Sequence, residues 1–203
     1  MSRLYTSKTN LENYTLQDID ASFDSQIDSW IKAVSKQIEQ QTNRVFIADE
    51  TGSARLYNGN NRQHLIIDDC IEVTKVEVGN NIWGDTFTEI DPTGINRYYT
   101  LPTNNEEEGV PIRKIGLRAK VWIEGHANHR ITAKWGYSEN VPEDIEFAAT
   151  VLTAGIMNAK RDGGKGDVKS EKIGQYAVTY DDKQYKDLQV AKEILDSYKR
   201  YYL

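Results

Sequence analysis

Apolar residues recur with two different periods along this chain, and the change of period divides it. Ile27, Trp30, Ile31, Val34 and Ile38 follow the i, i+3, i+4, i+7, i+11 spacing of one buried helical stripe. The helix is predicted to start near Thr15 or Asp20 and to run to about Thr42. Thr15 and Asp18 have the spacing of a capping box, with Asp in place of the usual Glu. A short break is expected around Ala21 to Phe23. Asn43, tolerant of the left-handed conformation, is the expected stop.

From residue 44 to 136 the period falls to 2. Candidate strands cover 44–48, 54–57, 64–67, 71–78, 86–90, 98–101, 114–123 and 130–135. In the last, Ile131, Ala133 and Trp135 share one face and Thr132 and Lys134 the other. In 71–78 the phase slips: Ile71 and Val73 share a face, then Val76 and Val78 share the opposite one. That predicts a bulge near Thr74 and Lys75, or two short strands. Thr51-Gly52, Asn58-Gly59-Asn60-Asn61, Gly79-Asn80-Asn81 and Pro92-Thr93-Gly94 supply the turns. Short, closely spaced strands imply an antiparallel sheet or small barrel and exclude a βαβ fold.

Helical periodicity then returns. Pro142 suits a first helical position, and Glu143 and Asp144 complement the helix dipole. Ile145, Ala148, Ala149, Leu152, Ile156 and Ala159 form the side to be buried, with Gly155 marking a close approach of another backbone. This helix should stop by Asp162 or Gly163. A last helix is expected over about 186–201, with Leu188, Ala191, Ile194, Leu195 and Tyr198 on one face. The pattern predicts an α+β fold, in which N- and C-terminal helices form a bundle and a β-rich antiparallel sheet or small barrel is inserted between them. The expected divisions are 1–43 (N-terminal arm and long helix), 44–136 (β-rich insertion), 137–162 (second bundle helix), 163–184 (flexible joint and tail segment) and 185–203 (C-terminal helix and tail).

Composition narrows the function. The 203 residues are 28% charged and 38% hydrophobic, with a mean hydropathy of -0.66, which fits a folded, polar, heavily solvated protein. No apolar run approaches the roughly 20 residues that span a bilayer, so no membrane partner is expected. The start, MSRLYTSKTNLENY, has no apolar h-region, and no secretory signal is expected. The single cysteine, Cys70, excludes an intramolecular disulfide framework and fits a reducing cytoplasm; among Asp68, Asp69 and Glu72 it reads as a small buried strand residue. A net charge of -6 argues against a dedicated DNA binder. Asp20, Asp24 and Asp28 recur at helical spacing as a solvated face, or as a negative surface that lets DNA pass or meets a basic partner.

Catalytic signatures are missing. Gly163-Gly164-Lys165-Gly166 lacks the spacing, the following Ser or Thr, and the preceding strand of a phosphate loop, and reads as a joint. Glu124, His126 and His129 are ligand-type residues in a turn between strands, but a third and fourth ligand have no evident source. His64 stands alone and reads as a partly buried strand residue. Asp68-Asp69, Asp181-Asp182 and Glu106-Glu107-Glu108 sit in turns. Neither G-x-S-x-G nor H-E-x-x-H occurs. No enzymatic activity, cofactor, metal or small-molecule substrate is therefore expected. Twelve tyrosines against four phenylalanines point instead to interfaces. Tyr176, Tyr180, Tyr185, Tyr198, Tyr201 and Tyr202 gather near the C-terminus beside Lys199 and Arg200.

Several segments, in order, resemble the head-to-tail adaptor (connector) proteins of tailed-bacteriophage necks. They are IEQQTNRVF (38–46), RLYNGNNRQHLII (55–67), the V-x-x-V-x-V strand at 73–78, YYTLP (98–102), GYSENVPEDIEFAA from Gly136, and SEKIGQYAVTY from Ser170 to Tyr180. The resemblance implies a structural virion protein, assembled in the host cytoplasm, that docks on the portal protein as a ring of about twelve copies. Such a ring is a platform for the stopper or tail-completion protein. Double-stranded DNA passes through its bore during packaging and ejection. It also implies that the C-terminal segment meets the portal, through Ile173, Tyr176, Tyr180, Tyr198, Lys199, Arg200, Tyr201, Tyr202 and Leu203. The alternative from the residues is a β-domain binding module of a tail or baseplate that recognises a polysaccharide or a protein ligand.

Overall fold

The apolar stripe of the long helix becomes the centre of a helical unit in the computed structural model, which describes residues 3–79, 82, 86–161, 169–173, 176–180 and 182–200. The chain divides into two compact units, residues 1–44 with 141–203, and residues 45–140. The first contains α1 (Lys8–Thr15), a 3-10 turn (Ala21–Phe23) and α2 (Asp24–Thr42) before the other unit begins. In the second, β1 (Ser53–Gly59), β2 (His64–Gly79), β3 (Phe87–Glu89), β4 (Tyr98–Leu101), α3 (Asn105–Glu108), β5 (Ile112–Leu117) and β6 (Gly125–Trp135) follow in order. The chain returns to the helical unit with α4 (Glu143–Arg161), the hairpin strands β7 (Lys169–Ile173) and β8 (Tyr176–Tyr180), and α5 (Asp182–Ser197). None of the described helices is long and apolar enough to cross a membrane.

In the helical unit, Ile27, Ile31, Val34 and Ile38 are at most 1% exposed, and each such burial contributes about 1.5–3 kcal/mol. Asn43 ends α2 with φ of 54°, as its side chain predicts. At the start of the helix the Asp20 alternative holds: Asp20 accepts from the Ser22 N–H at 2.8 Å and opens the 3-10 turn, at the expected break, that precedes α2. Thr15 is not a cap but the last residue of α1, where its hydroxyl donates to the Leu11 carbonyl at 2.7 Å. α1 is itself capped by Ser7, which accepts from the Asn10 N–H at 3.2 Å. Only Leu11 of this helix is buried. Polar bonds complete its attachment: Thr6 to Thr150 (2.6 Å), Asn10 to Glu146 (2.7 Å) and Tyr14 to Asp187 (2.7 Å). Ile145, Ala148, Ala149, Leu152 and Ile156 of α4 are buried as predicted, and so are Leu188, Ala191 and Leu195 of α5.

The β unit is one antiparallel sheet in the order β1-β6-β2-β5-β4, with β3 paired to the end of β2. The two predicted strands at 64–67 and 71–78 are a single long strand. Its register shifts between Val73 and Lys75, where the phase slip placed a bulge, and again between Cys70 and Glu72. Residues 44–48 do not form a strand; they contribute an isolated bridge between Ile47 and Ser138. β5 ends at Leu117, short of the predicted 123. Trp122 nonetheless fills the core from outside any strand, fully buried, with its indole N–H donating to the Ile115 carbonyl at 3.1 Å. Leu65, Ile115, Ile131, Ala133 and Trp135 complete the centre of that core. Gly136 follows at φ of 148°, and a Cβ there would lie 2.3 Å from the Ala48 Cα. Only glycine fits that crossing.

Candidate functional site

Of the residues expected to meet a portal, Tyr198, Lys199 and Arg200 lie at the end of the helical bundle and are already engaged with their own chain. A helix leaves its last four carbonyls unpaired, and α2 finds partners for its end in the C-terminal segment. The Arg200 N–H donates to the Thr42 carbonyl at 2.8 Å, and the Asn43 side-chain amide donates to the Arg200 carbonyl at 3.2 Å. Arg44 Nε donates to the Tyr198 carbonyl at 2.5 Å. The Tyr198 hydroxyl donates to Asp144 Oδ1 at 3.2 Å, and Lys199 pairs with Asp196 at 2.6 Å. The base of the tail is thus pinned where α2, α4 and α5 meet.

Ile173, Tyr176 and Tyr180 lie in the hairpin. Ile173 is paired with Tyr176 next to its turn, and Tyr180 with Lys169 at its open end. β8 runs along α4 and touches α5. Within the expected joint and tail segment, 169–173 and 176–180 are strands, and α5 begins at Asp182, not at about 186. Gly163 to Gly166, read as the joint, lie outside the described residues, as do Tyr201, Tyr202 and Leu203. α5 ends at Ser197 and not at residue 201.

Candidate chemistry in the β unit does not converge. His126 is exposed and His129 is buried, on opposite sides of β6. His129 Nε2 meets the Ile123 carbonyl at 3.0 Å, its ring stands edge-on to Trp122, and burial lowers its pKa. Its Nδ1 has no hydrogen-bond partner. His129 borders a groove of about 570 Å³ with Ile90, Asp91, Leu117, Lys120 and Ile123. Among the described residues no three His, Cys, Asp or Glu side chains are placed to hold a metal ion. Cys70 is fully buried and burial pushes its thiol up to about 12, as a structural cysteine requires. His64 is exposed, not half-buried, and its Nε2 lies 2.8 Å from the Tyr99 hydroxyl.

The strongest electrostatic feature, absent from the sequence reading, is at the other end of β2. Arg130 grips Glu77 with two 2.7 Å bonds, and Lys75 adds a third at 3.0 Å. These bonds, Arg130 foremost, hold the Glu77 carboxyl at about 2. The Arg130 guanidinium also stacks 4.4 Å from the Phe87 ring centroid, fastening β3 to the sheet. Lys75 and Glu77 share β2, but Arg130 comes from β6, so only the register could have revealed the full cluster.

No protein-family model and no curated protein matches this sequence. Solved structures do. A chain of the neck of a native GTA particle, computed with C12 symmetry, shares 12% identity and a TM-score of 0.52, covering 100% of this chain and 97% of that one. A chain of the neck of an empty GTA particle, computed with C6 symmetry, matches with the same identity and TM-score over 89% of this chain and 80% of that one. This protein therefore shares its overall fold with chains of phage-like particle necks.

Proposed function

We propose that this protein is a structural adaptor of a phage-like head-to-tail neck, forming a ring on a portal and carrying the next tail component. The end-to-end likeness to a neck chain of a C12-symmetric particle carries the reading, because it covers both units and leaves almost none of either chain unmatched. The pinned C-terminus adds to it. Tyr198 to Arg200, fixed at the end of the bundle, hold a defined place, as a docking segment needs. Tyrosine and arginine in that position suit an interface that buries area while keeping polar tips. A ring of twelve would offer one adaptor to each subunit of a matching cyclic portal and leave a bore for double-stranded DNA. Native mass spectrometry of the full-length protein mixed with a portal ring tests this: one adaptor per portal subunit supports it, and no complex with an intact portal defeats it.

A second reading, the β unit as a ligand-binding module, has the groove beside His129 in its favour. Binding of a glycan or peptide by the full-length protein, weakened by Lys120→Ala, would support that reading.

A further inference from the structure

The sheet pairs most of its cations and leaves one face bare. Arg55, Lys75, Arg130 and Lys134 each hold a carboxylate. Across the first part of β2, β5 and β4 the pattern is different. Leu65, Ile115 and Leu117 point into the core, so the alternate residues His64, Gly116 and Tyr99 form one outward row, and Ile66, Lys114 and Leu101 the next. The Tyr99 ring lies over Gly116, where a Cβ would come within 2.2 Å of Tyr99 Cζ. Ile66 is 52% exposed beside it. Arg97 and Arg118 flank this surface, joined by an N–H to carbonyl bond of 3.2 Å at the ends of β4 and β5. Lys114, Arg97 and Arg118 make no ion pair among the described residues. In a chain of net charge -6, this is an uncompensated basic surface with an aromatic and aliphatic centre.

Its complement is elsewhere in the same chain. Asp18, Asp20 and Asp28 are exposed at the approach to and start of α2, beside Asp24, which is exposed and pairs with Lys8 at 2.7 Å. Among them Leu16 is 89% and Phe23 52% exposed. We propose that the basic face of β2, β5 and β4 on one copy seats the acidic, Phe23-bearing start of α2 from the next copy. The inference rests on the ring reading and names its interface. Charge complementarity sets orientation and encounter, and Phe23 against Ile66 and Tyr99 supplies desolvated area. Duplex DNA would satisfy the arginines but offers Ile66 no apolar counterpart along its phosphates. Two different surfaces joined head to tail close into a ring when the rotation permits.

Charge swapping tests this on the full-length chain by sedimentation velocity at low salt. One variant carries Arg97→Glu and Arg118→Glu; the other carries Asp20→Lys and Asp28→Lys. Each alone should self-associate at least about tenfold more weakly than the wild type, and an equimolar mixture should recover, since the reversed faces again match. Unchanged circular dichroism and melting would show that both variants fold. The inference is overturned by a wild type that remains monomeric, by variants that associate like the wild type, or by a mixture that does not recover. Duplex DNA binding lost with the arginine variant, without self-association, would assign the face to nucleic acid and also overturn it. A monomeric wild type would leave the portal reading standing, because portal binding is read separately.

Discussion

Replacing Glu77 by Gln should destabilise the β unit by an amount that vanishes in acid. Glu77 is 5% exposed and accepts from both Arg130 and Lys75. Its carboxyl is held at about 2 against an ordinary 4.5. At about 1.4 kcal/mol per pH unit that difference corresponds to roughly 3 kcal/mol. Arg130 and Lys75 are both well over a third exposed on their side chains, so solvent screening reduces the expected loss to about 1–2 kcal/mol. The folded pKa is depressed, so this stability is fully present above about 4.5 and is lost as the pH falls toward 2. Urea unfolding, followed by the fluorescence of buried Trp122 and Trp135, should therefore show Glu77→Gln below the wild type at neutral pH. The two curves should converge near pH 2. A double-mutant cycle with Arg130→Met should give a coupling of about 1–2 kcal/mol. Equal stability at neutral pH, or a gap that persists unchanged in acid, would refute the reasoning.

Gly136→Ala should cost at least about 2 kcal/mol, because it combines φ of 148° with a Cβ 2.3 Å from Ala48 Cα; a thermal melt within a degree of the wild type would contradict that. Ser7→Ala removes the cap of a helix with one buried residue and should cost about 1 kcal/mol, read as a lower urea midpoint for the helical unit. Removing Tyr201 to Leu203 should leave the melting curve unchanged while abolishing portal attachment. Removing 182–203, by contrast, strips Leu188, Ala191 and Leu195 from the bundle core and should unfold it, which circular dichroism would report.

Much of the architecture was legible because burial and period coincide. The stripe of α2 and the alternation of β6 each put every apolar residue on one face, and the slip near Thr74 registered a real bulge. Where burial does not follow period, the reading failed. α1 buries Leu11 alone and is attached by side-chain hydrogen bonds between residues far apart in sequence, so no stripe announces it. Val121 and Ile123 continue the alternation of Ile115 and Leu117 beyond the end of β5, yet both are exposed, and the core takes Trp122, of the other parity, from an irregular segment. β7 (KSEKI) is polar and carries no clear strand period, and the alternation of Tyr176, Val178 and Tyr180 in β8 read as a tail without a partner strand. The C-terminal residues were singled out by type alone, and the bonds from Tyr198 and Arg200 to the end of α2 bridge more than 150 positions. The basic face was hidden by the net charge, since Arg97 and Arg118 become neighbours only through strand pairing, with Lys114 four residues along β5 on the same face.

The most direct test of the adaptor account is native mass spectrometry of the intact protein with a portal ring. The account predicts a discrete complex with one copy per portal subunit, lost when Tyr201 to Leu203 are removed. A well-folded protein that leaves an intact portal bare would contradict it.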